Sequence, residues 1–392
     1  MSDWDGGSEA IVWNILQGIG LMKQAHKHWL TQLTGVPTAA GRETYVMAWI
    51  RRWLRPRRDL ELHEDRCGNL EVRLCTAKAA AAPLYFVAHM DHPAFVVSTI
   101  EDERHLVADF RGGVDRSYFR GTPVTLHATE GITATGTVVR EIAPRTRSSD
   151  STWRIRLSRP ATPAPGDILT WKLPVPRCTR HRLVAPACDN LAGVTAALAA
   201  LDEVRRQSDP PDLRLLLTRG EEVGFVGAVG AARHRTVPKK ARLLVIENSK
   251  SFAESPLGGG PVVRVGDRTS TFDIGMTSHL ALVAESLERT GPGFRWQRRL
   301  MPGGTCEATA FVAYGLRAAC VCLPLRNYHN MQEDPRRIAP ESIDLHDFAA
   351  LVRLLAAVAM TAPEATPGQR LRDRLESLYA DRADLLRDHS DR

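Results

Sequence analysis

The 392-residue sequence has few of the features that mark extracellular or membrane proteins. Its seven cysteines are scattered, odd in number and include no Cys-x-x-Cys pair, which argues against a disulfide framework and a structural zinc site. No stretch of about 18 uninterrupted apolar residues is present, so we expect no transmembrane helix and no membrane partner. Residues 1–20 lack a basic segment followed by an apolar core, which argues against a secretory signal. We therefore expect a soluble, cytoplasmic protein.

Aromatic residues are also scarce, at 6% of the chain, although the net charge is +7. The densest basic run contains Arg51, Arg52, Arg55, Arg57 and Arg58. Such a run could meet phosphates, but aromatic residues are too few to form a platform on which bases would stack. We interpret the run as a solvated helix face and expect no nucleic-acid partner.

Four short, largely apolar runs, at residues 84–88, 213–217, 243–246 and 318–323, contain Arg214 as their one charged residue and are typical of strands buried on both faces of a sheet. Between the first and second runs, Leu191, Val194, Leu198 and Leu201 recur at helical spacing. This alternation predicts an α/β fold with a mostly parallel central sheet flanked by helices.

The segment 112–182 departs from this alternation. It is rich in Thr, Val, Gly and Pro, with turn signals at Glu130-Gly131 and Pro165-Gly166, and it predicts a small inserted all-β domain. The catalytic α/β domain would then comprise residues 1–111 and 183–362. Residues 363–392 form a charged helical tail whose leucines recur on one stripe. We expect this stripe to pack on the body of the protein, with a neighbouring subunit as the alternative.

Titratable residues follow each of the four apolar runs or precede a predicted helix. They are His89, Asp91, Asp189, Glu221, Glu222, Glu247 and His329. In open α/β sheets, ligands bind outside the carboxyl ends of the strands, so these side chains should meet at one edge of the sheet. Taken alone, Asp189 would more often cap a helix and the Glu221-Glu222 pair would be solvated. The ordered set predicts a metal centre.

Imidazole and carboxylate ligands suit zinc, cobalt or manganese. One carboxylate can bridge two ions, and two ions can hold both a water molecule and a substrate carbonyl. Because Glu221 and Glu222 are adjacent, we expect one to be a ligand and the other a general base. Asp91 lies two residues beyond His89 and can orient its ring as a hydrogen-bond acceptor.

The segments around these residues resemble the metal motifs of the co-catalytic metallopeptidases. They are Ala88-His89-Met90-Asp91, Cys188-Asp189-Asn190-Leu191-Ala192-Gly193, Glu221-Glu222-Val223-Gly224 and Tyr328-His329-Asn330. More narrowly, the chain resembles the M42 family of glutamyl and tetrahedral aminopeptidases from about Leu33 to Thr361. The position of the insert supports this family, because M20-type deacylases place their extra domain after the fourth ligand and M28-type aminopeptidases have none.

The resemblance implies a dinuclear metallo-aminopeptidase that removes N-terminal residues from short peptides through a metal-bound hydroxide. Asp189 would bridge two divalent ions, most commonly zinc, with cobalt and manganese as alternatives. His89 and Glu247 would complete one site, and Glu222 and His329 the other. Glu221 would be the general base and Asp91 would orient His89. The resemblance also implies a homo-oligomer, from a dimer to a dodecamer, assembled through an inserted domain that serves oligomerisation or substrate gating.

The sequence departs from the family pattern at several positions near the predicted ligands. Asn190 and Leu191 stand where the family has Asp and Arg, Glu247 replaces an Asp, and Cys306-Glu307 interrupts a Gly-Thr-Asp-Ala motif. No predicted ligand is lost. Two alternatives therefore stay open: a metal-dependent amidohydrolase acting on a small non-peptide amide, and a metal-free binding or assembly protein on the same fold.

Overall fold

An eight-stranded sheet forms the centre of the computed structural model, which describes residues 22–75, 77–128, 133–145, 150–361 and 368–386. In spatial order its strands are β1 (Leu60–Glu64), β2 (Leu70–Leu74), β12 (Leu213–Thr218), β3 (Leu84–His89), β13 (Arg242–Lys250), β16 (Arg317–Leu325), β14 (Val262–Asp267) and β15 (Gln297–Met301). The labels follow chain order. The four apolar runs of the sequence form the four central strands.

Those central strands are parallel to one another, whereas β2 joins β12, and β14 joins β16, in the antiparallel sense. The sheet is therefore mixed, and the expectation of a mostly parallel sheet is not confirmed. The physical reason is that a strand buried on both faces leaves a clear apolar run. The outer strands leave a weaker pattern, and no sequence pattern records the direction of a neighbour.

Helices cover both faces of the sheet. They are α1 (Gln24–Leu33), α2 (Thr44–Leu54), α3 (Leu191–Val204), α4 (Val226–Arg233), α5 (Ile274–Thr290), α6 (Glu307–Ala313) and α7 (Leu345–Met360). Every residue of α3 is buried, because α3 packs between the sheet and α7. Its eight small or apolar positions from Leu191 to Leu198 permit that close approach. On the opposite face, α4 and α6 enclose a second apolar core.

A closed six-stranded barrel follows the first segment of the sheet. Its strands are β4 (Ala94–Ile100), β5 (His105–Arg111), β6 (Pro123–His127), β7 (Thr133–Ala143), β8 (Ser151–Leu157) and β9 (Ile168–Trp171), in the order β4-β5-β8-β7-β6-β9. Five aromatic side chains fill its interior: Phe95, Phe110, Phe119, Trp153 and Trp171. The first two strands precede residue 112, where the sequence analysis places the start of the insert. Pro165-Gly166 lies in a turn, and Glu130-Gly131 lies outside the described residues.

Two smaller sheets are present besides the central sheet and the barrel. Strands β10 (Arg177–Cys178), β11 (Arg182–Ala185) and β19 (Glu341–Asp344) form one, and β17 (Met331–Gln332) with β18 (Arg337–Ile338) forms the other. The strand β19 pairs with β11 in the antiparallel sense, with Glu341 opposite Ala185. This pairing places Glu341 directly beside the segment that leads to Asp189.

The C-terminal helix α8 (Gln369–Arg382) continues into a 3-10 turn at Ala383–Leu386. Its leucines are exposed, so the expectation that they pack on the body is wrong. Amphipathic spacing shows which residues share a face of a helix, but it does not show what covers that face. Among the described helices, none combines the length and apolarity that crossing a membrane requires.

Candidate active site

The seven predicted site residues meet at one edge of the central sheet. Two groups of side chains could each hold a metal ion, one made by His89, Glu221 and Glu247 and the other by Asp189, Glu222 and His329. Within each group the candidate ligand atoms lie within 4.8 Å of one another. The parallel pairing of β3 with β12 and β13 brings His89 level with Thr218 and delivers Glu247 to the same edge.

Asp189 stands between the two groups. Its Oδ1 lies 3.5 Å from His89 Nε2, and its Oδ2 lies 3.6 Å from His329 Nε2. On the outer sides, Glu247 Oε2 lies 3.6 Å from His89 Nε2, and Glu222 Oε1 lies 3.2 Å from His329 Nε2. One carboxylate therefore directs one oxygen to each histidine, which is the arrangement that a bridging ligand needs.

A short turn positions the two adjacent glutamates. Glu221 and Glu222 begin a 3-10 turn that follows Gly220, whose φ of 62° is in the left-handed region. The Asp91 carboxylate accepts hydrogen bonds from the backbone N–H groups of both, at 3.0 Å from Glu221 to Oδ1 and 3.0 Å from Glu222 to Oδ2. Glu43 accepts a further hydrogen bond from the N–H of Gly220 at 3.1 Å. Two buried carboxylates thus fix the turn.

The contact between His89 and Asp91 differs from the one predicted. His89 Nδ1 is 3.2 Å from the backbone carbonyl oxygen of Asp91 and 3.6 Å from its carboxylate. The carbonyl is thus the nearer acceptor for the ring N–H, while both carboxylate oxygens already accept the N–H groups of the glutamate turn. Asp91 therefore holds both the ring of His89 and the turn that carries Glu221.

Glu341 is a functional residue that the sequence analysis missed. Its Oε2 accepts hydrogen bonds from the N–H groups of Cys188 at 2.7 Å and Asp189 at 3.0 Å, and its Oε1 accepts one from the N–H of His329 at 2.8 Å. Burial raises the pKa of Glu341 to about 7. No local pattern marks this residue, because its partners lie more than 150 positions away at Cys188 and Asp189.

The ring of His329 is fixed on both sides. Its Nδ1 donates a hydrogen bond to the carbonyl oxygen of Gly113 at 2.6 Å, which leaves Nε2 directed at Asp189 and Glu222. The ring of Tyr328 stacks on it with a centroid distance of 3.8 Å. Since Gly113 belongs to the segment that connects β5 and β6, the barrel contributes directly to the orientation of this histidine.

The side chains around His89 and His329 strongly perturb one another. Burial alone would lower the pKa of both histidines, but Glu221 beside His89 and Glu222 beside His329 raise it well above the ordinary value. Burial raises the pKa of Glu221 well above its ordinary value, and the nearby Glu247 and Glu222 add to this effect. Burial would also raise the pKa of Asp189, but its two histidine partners hold it well below the usual range. Such mutual perturbation is typical of functional sites.

Two further buried titratable side chains near the site have no counterpart in the predicted set. Glu307, at the start of α6, is fully buried, and neither of its carboxylate oxygens has a hydrogen-bond partner among the described residues. Burial raises its pKa to about 8, and the negative charge of Glu247 adds to the rise. Arg264 is only 3% exposed and donates hydrogen bonds to the thiols of Cys322 at 3.2 Å and Cys320 at 3.6 Å.

Asn190, which departs from the family pattern, has a structural role in this chain. Asn190 donates from its side-chain amide to the carbonyl of Ile246 at 2.7 Å and accepts from Asn248 at 2.8 Å. These bonds join the segment that carries Asp189 to the end of β13, which carries Glu247. An aspartate at position 190 could not make the first bond, because an ionised carboxylate has no donor.

Residues 162–354 match the model of the M42 glutamyl aminopeptidase family, which confirms the resemblance recognised from the motifs. No characterised protein sequence matches the chain significantly. The fold is similar to an aminopeptidase from the archaeon Desulfurococcus kamchatkensis, with 22% identity, a TM-score of 0.71 and coverage of 86% of this chain and 95% of that one. Similar values hold for a TET aminopeptidase from a marine-sediment Thaumarchaeota archaeon, at 20% identity, a TM-score of 0.71 and coverage of 85% and 96%.

The TET1 peptidase of Pyrococcus horikoshii is a third similar structure, with 21% identity, a TM-score of 0.69 and coverage of 85% of this chain and 99% of that one. That peptidase can assemble into a tetrahedron or a large octahedral shell. These structures show that the chain shares their fold, and residues 162–354 match the M42 glutamyl aminopeptidase family.

Proposed function

We propose that this chain, whose residues 162–354 match the M42 glutamyl aminopeptidases, is a dinuclear metal-dependent aminopeptidase that removes N-terminal residues from short peptides. The observation that carries the proposal is the position of Asp189, with one carboxylate oxygen 3.5 Å from His89 and the other 3.6 Å from His329. Its two oxygens thus face the histidines of two separate groups of candidate ligands, which is the position that a bridging carboxylate needs.

The donor set fits two divalent cations. Asp189 Oδ1, Glu222 Oε1 and Glu247 Oε1 are buried and lack hydrogen-bond partners among the described residues, which is costly unless a cation compensates them. Ligand distances of 2.0–2.1 Å in a tetrahedral zinc site imply donor atoms about 3.3 Å apart. The corresponding distances here, between 3.2 and 3.6 Å, are close to that value.

The residues divide into two sites around a shared ligand. His89 and Glu247 would hold one ion, Glu222 and His329 the other, and Asp189 both. When bound, the ions supply Lewis acidity to a water molecule and to the carbonyl of the first peptide bond. Nitrogen and oxygen donors of this kind accept zinc, cobalt or manganese, and zinc is the metal we propose first.

Glu221 is the general base in this proposal. Its Oε2 lies 3.9 Å from His89 Nε2, farther than the oxygens of Asp189 and Glu247. Its side chain is also the most exposed of the site carboxylates, at 11%, so it can reach a water molecule that enters the site. It would take the proton of that water during attack on the carbonyl carbon and return it to the leaving amine. Asp91 would hold Glu221 in place by accepting a hydrogen bond from its backbone N–H.

We extend the proposal to assembly. The insert would serve oligomerisation or substrate gating, as the sequence resemblance implies, and the shells formed by the TET1 peptidase are consistent with a homo-oligomer for this chain. The contact between His329 and Gly113 couples the barrel region to the active site, so a subunit docked on the barrel could influence the orientation of that ring.

The test combines metal analysis with a substrate panel. Protein reconstituted with zinc, cobalt or manganese is assayed on aminoacyl-nitroanilides, dipeptides and N-acyl amino acids, with Glu221→Gln as the matched variant. We expect two ions per chain in both proteins and peptide hydrolysis in the native protein alone. Hydrolysis of N-acyl amino acids without aminopeptidase activity would instead favour an amidohydrolase. Absence of bound metal in both proteins would contradict the proposal and favour a binding protein.

A further inference from the structure

The tail helix, which we define as residues 368–386, carries an apolar stripe that no element of the described residues covers. Leu371, Leu375, Leu378 and Leu385 expose between 44% and 77% of their surface. The family model match ends at residue 354, so the tail helix lies outside it. Single exposed leucines are common on protein surfaces, but a contiguous exposed apolar stripe on one face of a helix indicates an interaction surface.

The spacing of the stripe is that of a coiled-coil seam. Leu371, Leu375 and Leu378 are separated by four and three positions in the α-helical part, which places Leu375 at an a position and the other two at d positions of a heptad. Leu385 follows in the 3-10 turn. The remaining a position holds Arg382, whose methylene stem can cover leucine while its guanidinium reaches solvent. Such a seam is buried by another helix with the same repeat.

The charges of the tail helix select the partner. Residues 369–386 contain four arginines and four acidic residues, so the segment has no net charge. A helix that binds anionic lipid needs an excess of basic residues, and one that binds an acidic or basic protein needs an excess of the opposite charge. A neutral helix with both signs distributed along it is complementary to a second copy of itself.

We propose that the tail helix pairs antiparallel with the tail helix of a second copy of this chain. The pairing packs Leu375 of each copy on Leu378 of the other, which overlaps the two helices over nearly their whole length. In this register Arg374 of each copy lies beside Asp381 of the other, both at g positions flanking the seam. A parallel pair would instead place Arg374 beside Tyr379 and leave Asp381 beside Leu386, with no charge pairing.

This association is separate from the proposed enzymatic activity, because none of the site residues lies in the tail helix. It is also separate from contacts made by the barrel. A helix pair of this length buries less area than a typical stable interface, so we expect it to strengthen association between copies that also touch elsewhere.

A charge swap in the full-length chain tests the proposal. Sedimentation velocity over a concentration series would compare the native protein with Arg374→Asp, Asp381→Arg and the double variant. We expect each single variant to raise the dissociation constant about tenfold, since two ion pairs become two like-charge contacts. The double variant should restore the native value. Glu376→Arg, which changes charge on the outer face, is the matched control and should have no effect.

A second variant tests the apolar seam itself. Leu375→Glu combined with Leu378→Glu should weaken association more than either charge variant, while aminopeptidase activity and the thermal transition of the body stay unchanged. An unchanged mass distribution in this variant would overturn the proposal. Equal behaviour of the single and double charge variants would overturn the antiparallel register.

Discussion

Glu341 accepts a hydrogen bond from the backbone N–H of Asp189, with a distance of 3.0 Å between the nitrogen and the carboxylate oxygen. Through its other oxygen it also accepts the N–H of His329 at 2.8 Å. One buried carboxylate thus holds Asp189, the proposed shared ligand, and His329, a proposed terminal ligand, although the two are distant in sequence. This arrangement leads to the first prediction.

Replacing Glu341 with Gln should weaken metal binding without removing a ligand. The amide offers one acceptor oxygen and turns an N–H donor toward backbone N–H groups, so at least one backbone hydrogen bond is lost. Residues that orient ligands typically contribute 10- to 100-fold to metal affinity, and we expect a loss of about that size. Competitive chelation would measure it. Gln369→Glu, in the tail helix, is a control that should leave the affinity unchanged.

Replacing Asp189 with Asn should affect both ions, whereas Glu222→Gln should affect one. Asp189 directs one oxygen toward each histidine, while Glu222 lies beside His329 alone. An amide is a poor bridging ligand because its nitrogen has no lone pair to offer. Elemental analysis after dialysis at limiting metal should therefore show fewer ions in Asp189→Asn than in Glu222→Gln. Equal stoichiometry in the two variants would contradict the shared role of Asp189.

Removal of metal should lower the melting temperature of the native protein. The site contains buried carboxylate oxygens without a hydrogen-bond partner among the described residues. Cations that bind only the folded state stabilise it by mass action, by about 2.7 kcal/mol at 100 times the dissociation constant. Thermal unfolding with and without a chelator measures the difference. The Asp189→Asn variant should show a much smaller response to the chelator, and a response equal to the native one would contradict the assignment of the ions to this site.

Glu307 should make the stability of the metal-free protein fall as pH rises. Burial raises its folded-state pKa to about 8 from an ordinary value of 4.5, so between these pH values the folded state keeps a proton that the unfolded state has lost. Each pH unit in this window then lowers the free energy of unfolding by about 1.4 kcal/mol. Glu307→Gln removes this dependence.

Urea denaturation in the presence of a chelator would check this prediction. Native protein and Glu307→Gln should have similar stability below about pH 4.5, where the carboxyl is mostly protonated in both states. Above that pH the free energy of unfolding of the variant should exceed that of the native protein by an amount that grows up to about pH 8. A constant difference across this range would show that Glu307 is already ionised in the folded state.

The sequence alone predicted which residues would meet at the candidate site, because a buried parallel strand leaves a local apolar run that is followed directly by the residues at its carboxyl end. A run such as 213–217 marks a strand buried on both faces, and the strand directions of an α/β sheet bring the following residues to one edge. The structure places all seven predicted residues together on this basis. The motif around Asp189 could be recognised for the same reason, since the ligand and the helix that follows it are contiguous.

Only the tertiary structure decided which other polar residues are buried around those seven. Glu341, Glu307 and Arg264 stand in the sequence like ordinary strand or helix residues, and their importance arises from burial and from partners far along the chain. The directions of the outer strands and the exposure of the tail leucines also follow from long-range packing. Periodicity records which face of an element is apolar, but the neighbour that covers that face is a property of the whole fold.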